Sequence, residues 1–222
     1  LRESAHFLAL ELYSKPLQLS KNHDITKLLL TLIKDEGLEL LTWSKKAKSL
    51  QQRVSFINAR ENESIESLSD EVLLDSLDIW LEPFLGGIKS VKAVKELELY
   101  PMLLSLLSWH NQQKLDLLAP QRVEVPSGSN IFIDYSDVEK PAIFVKLQEM
   151  FGLEQTPKIL NDSVALQIQL LSPAMQPIQI TYDISSFWKN SYAEVRKDLR
   201  GKYKRHYWPE NPYEAVATKK TK

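Results

Sequence analysis

The stretch that decides the fold is Arg122-Val123-Glu124-Val125-Pro126-Ser127-Gly128-Ser129-Asn130-Ile131-Phe132-Ile133-Asp134-Tyr135, where the sequence pattern changes from helical to extended. Two short runs rich in β-branched and aromatic residues flank a central segment of Pro, Ser, Gly and Asn, which is typical of a turn. We therefore predict strands at Arg122–Val125 and Ile131–Tyr135. Three further strands of the same character are predicted at Ala142–Val145, Val164–Leu171 and Ile178–Tyr182.

Five short strands with a connecting segment around Gln148–Gly152 are typical of a small, closed or partly open β-barrel of the OB type. A fragment of a five-stranded sandwich gives the same pattern, and periodicity does not separate the two. We favour the OB-like barrel and place it at residues 120–183.

Upstream of the barrel, apolar residues recur at three- and four-residue steps, which indicates amphipathic helices. The two clearest stripes are Leu40, Trp43, Ala47, Leu50, Val54 and Ile57, and then Leu73, Leu77, Trp80, Leu81 and Phe84. Four basic residues are expected to project elsewhere, into solvent: Lys45, Lys46, Lys48 and Arg53. Ser69 can cap the second helix. We predict a helical bundle over residues 1–119, so the expected fold class is α+β.

Composition excludes several classes of function. The 222 residues contain no Cys, which rules out disulfides, thiolate metal sites and cysteine nucleophiles. No apolar run reaches the roughly 18 residues of a membrane span. The sequence starts Leu1-Arg2-Glu3-Ser4, without Met or a signal-peptide pattern, so we expect an excised fragment of a longer, cytoplasmic protein.

Catalytic motifs are not found in the sequence. The six glycines never form the phosphate-binding loop of an NTPase, and the four histidines lack metal-ligand spacing. Asp70-Glu71-Val72-Leu73 resembles the acidic box of a helicase, but no apolar strand precedes it, and we interpret it as a helix start. We expect no catalytic residue, metal site or bound cofactor in this stretch of protein.

The carboxyl-terminal tail differs in charge from the rest of the chain. Residues 187–222 hold ten Lys or Arg and four Asp or Glu, a net charge of +6, whereas the other 186 residues carry −7. If one helix runs through the tail, Trp188, Tyr192, Val195 and Leu199 share a face that should dock on the protein. We predict a basic, aromatic extension over residues 184–222, with a disordered end from Ala217 to Lys222.

Cations that contact phosphates, interleaved with rings on which bases stack, are typical of nucleic-acid binding. The predicted nucleic-acid-binding residues of the tail are Lys189, Arg196, Lys197, Arg200, Lys202, Tyr203, Lys204, Arg205 and Tyr207. The alternative, that the cations merely solvate the surface, remains open at this point.

Several segments resemble the C-terminal region of the HrpB family of bacterial DEAH-box helicases, in the same order and over nearly the whole chain. The segments are Trp80–Leu85, Val125–Ser129, Asp134-Tyr135, Gln148–Gly152, Leu171–Ala174, Pro177–Thr181 and Phe187–Glu210. The resemblance implies that the helical region is a ratchet-like bundle, followed by the OB-like barrel and an extension special to this branch. It also implies a longer protein with two RecA-like motor domains that use ATP and magnesium, and these motifs are not found in this chain.

The leading hypothesis is an accessory module that binds or guides single-stranded RNA or DNA for the motor domains of the same protein. The alternative is a protein-interaction platform, which docks partner proteins or the motor domains through the acidic segment Glu61–Glu82 or an exposed barrel edge. An independent enzyme has almost no support in the residues.

Overall fold

The computed structural model describes residues 2–7, 10–16, 24–60 and 65–219. The helices of these residues are α1 (Ile25–Glu36), α2 (Lys45–Asn58), α3 (Asp70–Asp75), α4 (Leu77–Trp80), α5 (Val91–Lys95), α6 (Leu99–Ser105), α7 (Trp109–Leu118), α8 (Ile184–Asn190) and α9 (Tyr192–Lys202). The strands are β1 (Arg2–Phe7), β2 (Leu10–Pro16), β3 (Arg122–Glu124), β4 (Asn130–Asp134), β5 (Ala142–Lys146), β6 (Lys158–Ile159), β7 (Val164–Ala165), β8 (Gln167–Leu171) and β9 (Pro177–Thr181). Short 3-10 turns cover Leu38–Leu40, Glu82–Phe84 and Leu147–Glu149. The predicted α+β class is confirmed.

The chain divides into two compact units. One unit comprises residues 1–42 and 73–97, and the other comprises residues 43–72 and 98–222. The boundaries predicted near residues 119 and 183 both fall inside the second unit. The division into bundle, barrel and extension stays a prediction.

In the first unit β1 and β2 form an antiparallel pair, so the prediction of helix throughout residues 1–119 is wrong at this end. Both stripes that motivated the prediction lie downstream of residue 39, and Leu10 and Leu12 alternate around Glu11 as strand residues do. The second stripe is otherwise confirmed, because Leu73, Leu77, Trp80 and Leu81 are buried. Phe84 is the exception and is 47% exposed.

Helix α2 anchors the helical part of the second unit. Ser44 caps it by accepting a hydrogen bond from the Ala47 N–H at 3.2 Å. Ala47, Leu50, Val54 and Ile57 are buried, as the first stripe predicts, and α2 packs against α6 and α7. Ser69 accepts from the Val72 N–H at 3.3 Å, which confirms the predicted cap of α3.

Arg53 does not project into solvent, contrary to the prediction. It is 1% exposed, and its guanidinium donates to the Ala119 and Leu115 carbonyls and to the Asp116 carboxylate. The last carbonyls of a helix have no partner within the helix and lie at the negative end of its dipole. The buried guanidinium at the end of α7 therefore satisfies the Ala119 carbonyl, which an apolar residue at position 53 would leave without this partner.

The predicted strands form one mixed sheet in the order β3-β4-β5-β8-β9. Neighbouring strands are antiparallel, apart from β5 and β8, which are parallel. A parallel pair requires a long crossover, and residues 147–166 supply it. Ile133, Ile143, Val145, Ile168 and Leu170 fill the buried face of the sheet.

The structure does not support the OB-like barrel, because β3 and β9 remain the two edges of an open sheet among the described residues. Alternation of apolar and polar residues reports that one face of a sheet is buried, and it does so equally for a barrel and for an open sheet. Whether a sheet closes into a barrel depends on which strands pair with each other. The two-residue alternation of apolar and polar residues does not contain that information. The open sheet leaves the outer face of β3, β4 and β5 available to form a surface site.

Candidate nucleic-acid interface

The predicted docking face of the tail is present, although the helix is not continuous. Asp183 caps α8 by accepting from the Ser186 N–H at 2.9 Å, and Ser191 separates α8 from α9. Trp188, Tyr192 and Leu199 are nevertheless buried, as predicted. The helical periodicity survives the break because only one residue interrupts it.

The rings of the docking face anchor the tail. Trp188 Nε1 donates to the Leu153 carbonyl and Tyr192 Oη donates to the Pro209 carbonyl, each at 2.8 Å. The Phe151 ring lies 6.0 Å from both rings, centroid to centroid. Burial raises the pKa of the Tyr192 hydroxyl above its ordinary value. These two rings are part of the core and do not offer a face to a nucleic-acid base.

The segment after α9 is held by Gln148, whose side chain is buried. Its Nε2 donates to the Tyr207 carbonyl at 3.3 Å, and its Oε1 lies 3.0 Å from His206 Nδ1. The Gln148 carbonyl also accepts from the Thr218 N–H at 3.0 Å. The predicted disordered end therefore includes an ordered residue at position 218, and residues 220–222 lie outside the described part of the chain.

Three of the nine predicted binding residues contact other parts of the protein. Arg196 donates to the Trp208 carbonyl at 3.0 Å and pairs with Glu210 at 3.1 Å. Tyr203 is half-buried, with its hydroxyl 3.2 Å from Ser172 Oγ. Tyr207 is 38% exposed, and its ring lies 6.4 Å from that of Phe151. Arg196 and Tyr203 therefore have structural contacts of their own.

The other six predicted residues are exposed cations: Lys189, Lys197, Arg200, Lys202, Lys204 and Arg205. None of them forms an ion pair with any residue that the structure describes. Glu194 and Asp198 are also exposed on α9 and reduce the positive potential there. A counter-charge from outside can therefore approach these six groups, with the strongest surplus after residue 198.

Lys202 and Tyr203 also line a recess of about 340 Å³ together with Ser172, Gln176 and Ile178 of the β8–β9 hairpin. This recess places two predicted residues beside the sheet. The remaining predicted residues do not line it.

A larger groove, of about 790 Å³, lies between α2 and the outer face of β3, β4 and β5. We call it the sheet groove, and it is lined by Lys45, Lys46, Lys48, Ser49, Gln52, Gln121, Arg122, Asn130, Ile131, Phe132, Asp134 and Phe144. None of the nine residues predicted in the tail lines it. The exposure predicted for Lys45, Lys46 and Lys48 is confirmed.

Sequence reasoning missed this groove although a signal was present. Phe132 lies between Asn130 and Asp134 on the polar side of its strand, and Phe144 lies opposite the buried side of the next strand. An aromatic residue at the outward position of two successive strands departs from the alternation of a half-buried sheet. The two rings are 44% and 43% exposed, respectively.

Neither a membrane-spanning helix nor a metal-binding cluster occurs in the described part of the chain. No helix there has the length and apolar content needed to cross a bilayer. No group of three or more His, Cys, Asp or Glu side chains in the same residues could hold a metal ion.

Comparison with known proteins places the chain in a family. The sequence model of a family described as "ATP-dependent helicase C-terminal" matches residues 80–212. The ATP-dependent RNA helicase HrpB of Escherichia coli (strain K12) is 39% identical over 209 residues, which are 94% of this chain and 26% of that protein.

Solved structures agree with this assignment. A crystal structure of the E. coli DExH-box NTPase HrpB superposes with a TM-score of 0.79 at 37% identity, covering 96% of this chain and 26% of that one. A crystal structure of the Escherichia coli DEAH/RHA helicase HrpB gives a TM-score of 0.69 at 37% identity, covering 90% and 25%. The chain thus spans about a quarter of the length of the relatives it matches. It belongs to the ATP-dependent helicase C-terminal family.

Proposed function

We propose that the chain is an accessory module of an ATP-dependent helicase, which binds and guides single-stranded nucleic acid for motor domains of the full-length protein. Membership of the helicase C-terminal family supports the association with a motor. The relative in E. coli is called an RNA helicase, which favours RNA over DNA. ATP and magnesium would bind to the motor domains, and catalysis would take place there.

One observation carries the proposal. Six of the seven predicted basic residues of the tail are exposed and have no carboxylate partner among the described residues. A Lys or Arg without a carboxylate partner can neutralise a phosphate and release the counterions condensed on the nucleic acid, whereas a cation already paired within the fold cannot. The exposed cations therefore give the tail a physical basis for contacting phosphates.

A variant that tests the tail should change surface charge without removing contacts within the fold. Arg196 is tied to Trp208 and Glu210, so reversing its charge would disturb the fold as well as the surface. Arg200 and Lys204 have no such contacts with the residues that the structure describes, so the double substitution Arg200→Glu, Lys204→Glu changes exposed side chains alone. A matched control is Lys92→Glu, Lys95→Glu, which reverses two exposed lysines on α5 in the other unit.

The assay is fluorescence anisotropy of a labelled single-stranded RNA titrated with the 222-residue chain at several salt concentrations. Removing one cation that binds a phosphate should lower the slope of log K against log salt by about 0.7 for a single strand. We expect the tail variant to bind more weakly, with a slope shallower by about 1.4 or more, and the α5 variant to bind like the wild type. Normal binding by the tail variant, or binding that does not depend on salt, would remove the case for the tail.

A second candidate function is docking of the motor domains, and a specific observation favours it. Trp109 and Leu117 of α7 are 73% and 74% exposed, and large apolar side chains so exposed often mark protein interfaces. The purified ATPase portion of the full-length protein should then bind the wild-type chain in calorimetry but bind Trp109→Ser weakly. Equal binding of both forms would exclude a role for this helix.

A further inference from the structure

The outer face of the sheet carries a row of side chains that crosses all five strands, and three of them, Arg122, Phe132 and Phe144, line the sheet groove. In the observed register Arg122 pairs with Phe132, Phe144 pairs with Gln169, and Gln169 pairs with Ile180. Ile133 pairs with Ile143 and Asp134 with Ala142, so continuing this register by one residue places Phe132 opposite Phe144. The outer face therefore presents two adjacent rings with a guanidinium at one end.

The rings of Phe132 and Phe144 do not belong to the buried core of the sheet. Their neighbours along the strands, Ile133, Ile143 and Val145, point to the buried face and are at most 1% exposed. Opposed side chains of an antiparallel pair have Cβ atoms about 4.5–5.5 Å apart, so the two side chains belong to the same patch of the outer face. Keeping two phenylalanines in water is unfavourable, and a partner that covers them gains the free energy of their burial.

The charges that surround the rings indicate the chemistry of that partner. Four basic residues line the groove, Lys45, Lys46, Lys48 and Arg122, against one acidic residue, Asp134. Neither Lys45 nor Lys46 forms an ion pair within the described residues. An apolar segment of protein would leave these cations without counter-charges, whereas a polyanion would supply them.

Two cations of the groove, Lys48 and Arg122, are held in place by contacts with neighbouring residues. Lys48 Nζ donates to Gln51 Oε1 at 2.7 Å and lies 5.1 Å from the centre of the Trp43 ring. Arg122 Nη1 donates to the Asn130 carbonyl at 2.9 Å across the β3–β4 hairpin. These contacts are to neutral groups, so the positive charges remain available to a ligand.

We propose that the sheet groove is a stacking site for single-stranded nucleic acid, with bases on Phe132 and Phe144 and phosphates on the lysines of α2 and on Arg122. The proposal deepens the proposed function, on which it rests, and adds a site separate from the tail. A volume of about 790 Å³ falls within the roughly 300–1,000 Å³ of ordinary small-molecule sites. Stacking on rings tolerates every base, so the site should bind without strict sequence preference.

The test uses two oligonucleotides of equal length and equal phosphate count, one with bases and one abasic, each labelled with fluorescein. The variant is Phe132→Leu, Phe144→Leu, which keeps apolar side chains but removes the flat rings. The matched control is Phe84→Leu, since Phe84 is exposed to a similar degree in the other unit. Phe132→Tyr, Phe144→Tyr restores flat rings and should restore binding.

We expect the double-leucine variant to bind the base-containing strand about tenfold more weakly or worse, and to bind the abasic strand like the wild type. Lys45→Gln, Lys46→Gln should weaken both strands and make the salt slope shallower by about 1.4. Thermal unfolding of each variant checks that the fold is retained.

If the double-leucine variant bound the base-containing strand as the wild type does, the inference would be overturned. That result is expected if this face docks the motor domains instead. An equal loss with both strands would also overturn it, because stacking requires bases. Failure of the wild-type chain to bind either strand would instead refute the proposed function as a whole.

Discussion

Replacing Arg53 by Met tests whether a buried guanidinium holds α7 to α2. Arg53 Nε lies 2.5 Å from the Ala119 carbonyl oxygen, and Nη2 lies 3.3 Å from the Leu115 carbonyl and 2.6 Å from Asp116 Oδ1. Leu115 also accepts from the Ala119 N–H at 2.9 Å, so its carbonyl keeps a partner in the variant. The carbonyl of Ala119, which is fully buried, is left without the guanidinium.

The expected loss of stability follows from these hydrogen bonds. An unsatisfied buried acceptor costs about 1–3 kcal/mol, and removal of the cation at the end of α7 adds about 0.3–1 kcal/mol. Met is shorter than Arg but has a similar side-chain volume without the charge, so the cavity it leaves is small. We expect Arg53→Met to lower the free energy of unfolding by about 2–3 kcal/mol, and the melting temperature by about 4–12 °C for a chain of this size.

Circular dichroism during heating and in urea measures both quantities, and Asp116→Asn is the matched control. The Asp116 side chain is 73% exposed, so its ion pair with Arg53 contributes at most about 1 kcal/mol. If Arg53→Met melted like the wild type, or if Asp116→Asn were equally destabilising, the carbonyl contacts would not be what stabilises this junction.

Two further predictions concern pH. Slight burial raises the pKa of Glu66, but hydrogen bonds from Asn111 and Ser108 lower it more, so its pKa lies below the ordinary value. The ionised Glu66 carboxylate therefore stabilises the fold above its unfolded pKa of about 4.3, and this stabilisation is lost as the pH falls through the lower pKa of the folded state. In Glu66→Gln the melting temperature should accordingly decrease less steeply as the pH is lowered. Burial raises the pKa of the Tyr135 and Tyr192 hydroxyls, a stabilisation that is complete below about pH 10 and is lost as pH rises above it. Replacing both tyrosines by Phe should make melting temperature less sensitive to pH between about 10 and 12, whereas an unchanged alkaline fall would show that other groups cause it.

The sequence predicted those features that depend on local periodicity. Ser69 caps α3, the first stripe is buried along α2, and Trp188 and Tyr192 anchor the tail. Each of these follows from residue types at neighbouring positions, which a single sequence displays directly. The five strands of the sheet were located for the same reason.

Pairing between distant strands was not predictable in this way. Alternation in Val164–Leu171 is compatible with any neighbour, and only the structure shows β8 parallel to β5. The open edges of the sheet, and the availability of Phe132 and Phe144 on its outer face, follow from that pairing. The candidate site in the tail was visible as composition, whereas the sheet groove depends on residues far apart in sequence.

Arg53 shows a conflict between position and residue type. It lies three residues after Leu50 and four before Ile57, so helical spacing places it on the buried face, while its charge favours solvent. Arg53 is buried, as its helical position predicts, because the carbonyls at the end of α7 accept the hydrogen bonds that a buried guanidinium requires. Those carbonyls are more than 60 residues away in the sequence.

Photo-crosslinking tests the central claim, that this chain binds a single strand, most directly. A single-stranded RNA with 4-thiouridine at every position is irradiated with the 222-residue chain, and the attached peptides are identified by mass spectrometry. We predict attachment within residues 122–146 and 196–208, abolished at high salt. Attachment confined to other surfaces, or none at low salt, would contradict the account.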